Sequence, residues 1–530
     1  MHVLTGGIME LLVFTLLLLT SHTVADDSDN FIVCDAGCQC DKADLGIVQC
    51  TNLSSIPNFT NKQSVHTLTV KQHSISALKE GDFENFTKLE QLYITDGQLS
   101  TVAPGTFDAV RETIKVVNIR SNVVNEIEAG VFANLPNMDK IVLNSNHLTT
   151  LKANSFVNMS KLTTLNILHN RVNSIEKGAF KGVSSLETLN LFSNHLEEIP
   201  LEPLTPLTSL KILFLTDNDI KSISEAANGY LPVLEDIYLD SNPISEIKVF
   251  PNISGSLQRV ELDFTHISSA TKDTWKHLSK IVHLNMAGTR FRTVTAGMFD
   301  GLQNVQRLLL RDMPLLTSVG PDAFRGMPNV MSIDLDNCKQ LRTIDETAFM
   351  STPKVTSFFL KGSGVTYIPK NLFDWSKMET VSLKRIPINC DCKVEWMLNS
   401  SIFGNNTVVK TSFAQLVCST PKVHFGRNVT TLHSVNLTCK SFKDDHASRF
   451  ATGIIIAVIC FVFMTTVFLV TKYRKRIMIS CRRYYQYRRY KNDLVFTVEH
   501  DTSIAELEDT DIPEGRPLKD MRLETVPIET

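Results

Sequence analysis

Eight of the 11 cysteines stand in two groups whose spacing admits two chemistries. Cys34-x3-Cys38-x-Cys40-x9-Cys50 comes early in the chain, and Cys390, Cys392, Cys418 and Cys439 come late. Four closely spaced thiolates can hold a metal ion, or in an oxidising compartment they can close into two disulfides. Histidine is scarce near both groups and each count is even. This favours disulfide frameworks, each bond worth about 2–4 kcal/mol. Spacing alone leaves three connectivities open in each group. Asn-x-Ser/Thr acceptors for N-linked glycans stand at Asn52, Asn58, Asn85, Asn158, Asn252, Asn399, Asn405, Asn428 and Asn436. No other constellation promises chemistry. The carboxylates have no paired pocket position, His147 and His195 sit just after repeated asparagines, and no phosphate-cradling glycine loop or metal-spaced cluster occurs. The chain reads as no enzyme, with no catalytic, cofactor-binding or metal-binding residues.

Two apolar runs assign these residues to compartments. Leu11 to Leu19 followed by Thr23-Val24-Ala25 suits a cleaved export signal over residues 1–25, although residues 1–10 carry no Lys or Arg. Phe450 to Thr471 is uncharged. At about 1.5 Å per helical residue it spans roughly 33 Å, enough to cross a bilayer. Lys472, Arg474, Lys475 and Arg476 follow at once, so the positive-inside rule leaves the C-terminal side in the cytoplasm. Every sequon precedes this run, as exposure to the glycosylation machinery requires. The expectation is a single-pass type I plasma-membrane protein with its N-terminal region extracellular. Its tail, 472–530, is short and largely disordered, acidic from Glu499 onward. Tyr473, Tyr484, Tyr485, Tyr487 and Tyr490 suit interface anchors, and Cys481 is placed for palmitoylation. The formal net charge of -3 gives no pull toward nucleic acid.

The element that must position the rest is a repeat. From about Val65 to Phe373 an aliphatic frame recurs roughly every 24 residues, as in Ile141-x-Leu143-x-x-Asn146-x-Leu148 and Leu191-x-x-Asn194-x-Leu196. Such a period builds a stacked solenoid, because no single unit can bury its apolar face. Asn122, Asn146, Asn170, Asn194, Asn218 and Asn242 form one ladder, continued by Thr265, Thr289, Met313, Cys338 and Ser363. Cys338 at that position is expected to be a buried structural thiol. Phe83, Phe107, Phe132, Phe156 and Phe180 recur in a second phase that resumes at Phe299, with Leu204, Asn252 and Trp275 in between.

The frame Leu-x-x-Leu-x-Leu-x-x-Asn-x-Leu resembles the leucine-rich repeat. The two cysteine groups, the second with Pro387 and Trp396, resemble the caps of extracellular single-pass members of that family. The resemblance implies an α/β solenoid: a horseshoe lined by a parallel concave sheet, capped at both ends and followed by one transmembrane helix. The expected layout is an N-terminal cap at 26–64, about 14 repeats over 65–386, a C-terminal cap at 387–440, a stalk at 441–449 and the span at 450–471. It also implies the pairings Cys34–Cys40, Cys38–Cys50, Cys390–Cys418 and Cys392–Cys439.

In such a sheet the residues between the inward aliphatics face the groove. Phe192, Phe214, Asp217, Asp236, Tyr238, Asp240, Glu261, Asp263 and Phe264 then form an acidic, aromatic tract suited to a protein partner. The resulting expectation is a cell-surface adhesion molecule or co-receptor that binds an extracellular protein, with homophilic binding among its open modes. The rival is an innate-immune recognition or decoy receptor without its own signalling domain. A matrix-binding anchor is a third reading.

Overall fold

Alternation of aliphatic and polar residues dictates the main sheet. In each turn two aliphatics point inward, as Leu165 and Ile167 do, while Thr164 and Asn166 between and beside them stay half-exposed. The computed structural model describes residues 31–433 except 36, 59–60 and 225–228, and further on 437, 459–469, 471–472 and 484. It divides into two compact units, Met1–Cys439 and Lys440–Thr530.

The first unit is a β-solenoid of about 14 turns. Its principal sheet has 17 strands. It opens with β1 (Phe31–Asp35), β2 (Cys38–Asp41) and β3 (Ile47–Thr51), which pair antiparallel. From β3 onward every neighbour is parallel and follows in chain order, ending with Ser357–Phe359 beside Thr380–Ser382. Register is regular: Thr164 stands beside Thr188, Thr188 beside Ile212, and Ile212 beside Asp236. The turn from Asp236 to Arg259 is one residue shorter than the three before it.

The back of the coil departs from the expected α/β character. Among the described residues the repeats carry one short α-helix, Leu201–Leu204, and brief 3-10 turns. Two-residue strands run elsewhere, such as Ala77–Leu78 beside Thr101–Val102. A turn of this length leaves too few residues behind the sheet for a helix of useful length. Phenylalanines fill that space. Phe83, Phe107, Phe132, Phe156 and Phe180 stack at centroid separations of 6.1, 5.4, 5.7 and 5.8 Å. Phe299, Phe324 and Phe349 resume the stack at 6.0 and 4.9 Å. In the interruption Phe250, not Asn252, belongs to the column. Its backbone N–H donates to Thr274 just as Phe156 donates to Ala179, and its ring is fully buried while Asn252 is exposed.

The asparagine ladder joins successive turns. Asn170 Nδ2 donates to Leu143 O and Ile167 O at 3.0 Å each, and its Oδ1 accepts Leu148 N–H at 3.1 Å. Asn122, Asn146, Asn194, Asn218 and Asn242 repeat the pattern. These amides satisfy backbone groups that the coil would otherwise bury unpaired. Beyond them the bonds thin out. Thr265 and Thr289 each donate one hydroxyl bond, to Leu262 O at 2.8 Å and to Met286 O at 2.7 Å. Cys338 is a free, buried thiol donating to Leu310 O at 3.2 Å. Before Asn122 the same positions hold His73 and Gly97. The His73 ring occupies the space that any Cβ on Gly97 would need.

Both ends are closed. Cys38 pairs with Cys50 and Cys390 with Cys418, and Cys40 and Cys392 are also disulfide-bonded. At the far end Trp375, Trp396, Phe403 and Phe413 pack together over the last turn, with Trp375 and Phe413 edge-to-face at 5.1 Å. The side chain of Cys34, and Cys439, Asn436 and Cys481, lie outside the described residues. In the second unit residues 459–469 are helical, with Phe461, Phe463 and Phe468 exposed. Among the described residues no helix is long and apolar enough to cross a membrane.

Candidate protein-binding face

Four adjacent strands carry the candidate site: Ile212–Phe214, Asp236–Tyr238, Arg259–Glu261 and His283–Asn285. Inward Leu213, Ile237, Val260 and Leu284 are buried and fix the frame. Parallel register then stacks the outward residues in columns, so Asp236, Arg259 and His283 stand side by side, as do Phe214, Tyr238 and Glu261. Phe214 and Tyr238 stack at 4.5 Å. Arg259 reaches Glu261 through Nη1 at 3.2 Å and Asp236 through Nε at 3.7 Å. His283 Nε2 lies 3.1 Å from Glu261 Oε1 but lacks hydrogen-bond alignment, so the contact is electrostatic.

The next column is short of cations. Asp240 Oδ1 accepts the Thr216 hydroxyl at 2.7 Å, and Asp263 stands beside Asp240 one strand on. Burial, with added repulsion from Asp240 and Glu261, pushes Asp263 up to about 8. Burial pushes Asp240 up to about 6 against the Thr216 hydrogen bond, with Glu261 and Asp217 adding to the rise. Burial also raises Tyr238 to about 12, with Asp236 contributing. Glu261 behaves differently. Burial raises it, yet His283, Asn285 and Arg259 hold it below the ordinary carboxylate value. Carboxylates that resist ionisation hold a protonation state that a partner cation can reverse.

The tract named from the sequence is thus brought together in part. Phe214, Asp236, Tyr238, Asp240, Glu261 and Asp263 share one patch of the concave sheet. Phe192 sits a turn earlier with its ring edge against His169 at 5.0 Å. Asp217 and Phe264 occupy the left-handed position that ends each strand, at φ 55° and 53°, so they stand at the rim and not on the sheet. Phe264 is 57% exposed there. Sequence reasoning missed Thr216 and Asn285 as supports of the patch. Aligning the turns by strand register would have found both.

Asp336 extends the theme three turns beyond Asp263, where burial and Asp334 push it up to about 7. Alongside the patch runs an open groove of about 550 Å³, lined by Glu235, Gln258, Gln306, Asn329, Met331 and Lys354. Its lining is mainly amide and charged side chains, with no nucleophile–base pair. Among the described residues no group of His, Cys, Asp and Glu is arranged to hold a metal ion.

Family comparison agrees with this architecture. A model described as leucine rich repeat matches residues 112–172, 136–196 and 160–208. A second, the BspA type leucine rich repeat region, matches 269–392. These are leucine-rich repeats. Three of the four strands of the candidate patch lie between the matched stretches, and the fourth, His283–Asn285, lies within the second. No curated protein matches the chain. Solved structures share the fold. A leucine-rich repeat protein of Leptospira interrogans is 20% identical with a TM-score of 0.52, over 67% of this chain and 87% of that one. The LRIM1/APL1C complex is similar at 16% identity and 0.54, over 85% and 79%. The Drosophila Toll–Spatzle complex is similar at 15% and 0.53, over 73% of this chain and 60% of that one. At these identities the likeness is one of fold.

Proposed function

We propose that this is a cell-surface binding protein, held by a membrane segment at 450–471, whose concave face takes an extracellular protein partner. The observation that carries the reading is the patch at Asp240 and Asp263. Two half-buried carboxylates stand side by side there, with the Arg311 charge opposing the rise at Asp263 only in part, beside the stacked rings of Phe214 and Tyr238. Rings supply desolvated anchors and unbalanced charge supplies steering, the combination that concentrates binding energy at protein interfaces. The described sequons support an extracellular solenoid: Asn52, Asn58, Asn85, Asn158, Asn252, Asn399 and Asn405 are all exposed. The similar Toll and LRIM1 solenoids stand in complexes with Spatzle and APL1C, the class of partner assigned here. The same likeness is what favours the second reading, an immune recognition or decoy receptor.

The test displays the full-length chain on cells and screens it against extracellular proteins. Binding by the wild type that disappears in the D236K/D240K chain, with equal surface levels of both, supports the reading. A partner captured equally by both chains removes the patch from the function.

A further inference from the structure

The C-terminal cap carries an apolar loop that the solenoid does not cover. Between Val417 and Asn428, which bridge to each other, Val423 is 68% and Phe425 72% exposed, and Val417 is exposed beside them. Scattered apolar residues on a surface are ordinary, but three on one short loop are a patch. The loop is not loose. Cys418 ties it to Cys390, Cys390 N–H donates to Thr420 O at 2.7 Å, and Gly426 N–H donates to Cys418 O at 2.9 Å. His424 is buried between the two outward residues, and a 3-10 turn at Lys422–His424 fixes their direction. Lys422 and Arg427 flank them, exposed.

We infer that this loop rests in the interfacial layer of the bilayer, with Val423 and Phe425 dipping below the headgroups. The inference rests on the reading of 450–471 as a membrane span. The resemblance pairs Cys392 with Cys439, which leaves ten residues before Phe450, at most about 36 Å of chain. A rigid loop bearing a phenylalanine and valines, flanked by long cationic side chains that can reach headgroup phosphates, has the chemistry of an interfacial anchor. The sequon on the same loop is compatible. Asn428 Nδ2, the atom a glycan would occupy, already donates to Ala414 O, and its Oδ1 accepts Thr430 N–H at 3.0 Å. A glycan-free loop is what contact with lipid needs.

The test uses the full-length chain in phosphatidylcholine bilayers, part of the lipid brominated high on its acyl chains. F425W and V423W report the loop, and F264W on the concave rim is the control. The native indoles are a steady background, since Trp275 and Trp375 are buried and Trp396 is half-buried. Blue-shifted emission quenched by bromolipid in either loop variant, and not in F264W, is expected. Solvent-like emission from both loop variants in a chain that resists carbonate extraction overturns this inference and leaves the membrane span standing. A blue shift without bromine quenching puts protein over the loop and overturns it as well. Release of the chain by carbonate overturns the span, and the inference with it.

Discussion

Replacing Asp263 with Asn removes one of two facing carboxylates while nearly preserving its shape. Burial pushes the folded Asp263 carboxyl up to about 8, against an ordinary value of 3.8. Between those values the folded state holds a proton that the unfolded state has released, so stability falls as pH rises through the window. At about 1.4 kcal/mol per pKa unit the full shift amounts to about 6 kcal/mol, an upper bound. Water on the open side of the groove screens it, and about 2 kcal/mol is the expected effect. D263N is therefore expected to match the wild type near pH 3, where Asp263 is protonated in both the folded and the unfolded chain, and to exceed it by about 2 kcal/mol at pH 8.5. Urea titrations at the two pH values, followed by circular dichroism, measure the difference. A D263N chain that is less stable than wild type at pH 8.5, or that gains equally at both pH values, refutes the reasoning.

Removing a ladder amide should cost more than removing a ladder hydroxyl. N170A leaves Leu148 N–H, Leu143 O and Ile167 O without their side-chain partner and should lose about 3 kcal/mol, whereas T265A should lose about 1 kcal/mol. Urea midpoints of the two variants compare them directly. The Cys338 thiol, pushed up to about 12 by burial, should resist iodoacetamide in the native chain at pH 8 and react fully in urea, as read by peptide mass spectrometry. Glycopeptide mapping should find Asn428 unoccupied and exposed sequons such as Asn85 and Asn252 occupied, because only Asn428 among these three uses its amide to hold a neighbouring carbonyl.

The ladder from Asn122 to Asn242 is legible in the sequence because a polar residue at a fixed place in an aliphatic frame has few structural uses. The back of the coil is less legible. Asn252 falls in phase by counting, yet Phe250 fills the space, since the shortened turn near Asp236–Arg259 breaks the count. The phenylalanine column itself was readable from its recurrence, and the rings do stack behind the sheet, whereas the two-residue strands beside them carry no comparable signal. At the candidate site the residue types were readable, but not their neighbours. Asp240 beside Thr216 and Asp263 is a product of strand register, and the raised titration of the two acids comes from a depth of burial that spacing does not encode. Phe264 and Asp217 were assigned to the sheet face because alternation does not mark where a strand ends in a left-handed residue.

The uneven ladder also makes the solenoid mechanically asymmetric. Up to Asn242 each turn is lashed to its neighbours by an amide with several bonds. After it come the single hydroxyl bonds of Thr265 and Thr289 and then Met313, whose thioether has no proton to donate, before Cys338 and Ser363 tie turns together again. A load applied between the two caps is therefore not shared evenly. Extension should concentrate in the turns from Thr265 to Met313, the expected compliant segment of a spring whose earlier coils are stiffer. The acidic patch straddles that junction, so one wall of the groove is fixed while the other can yield to the shape of what it holds.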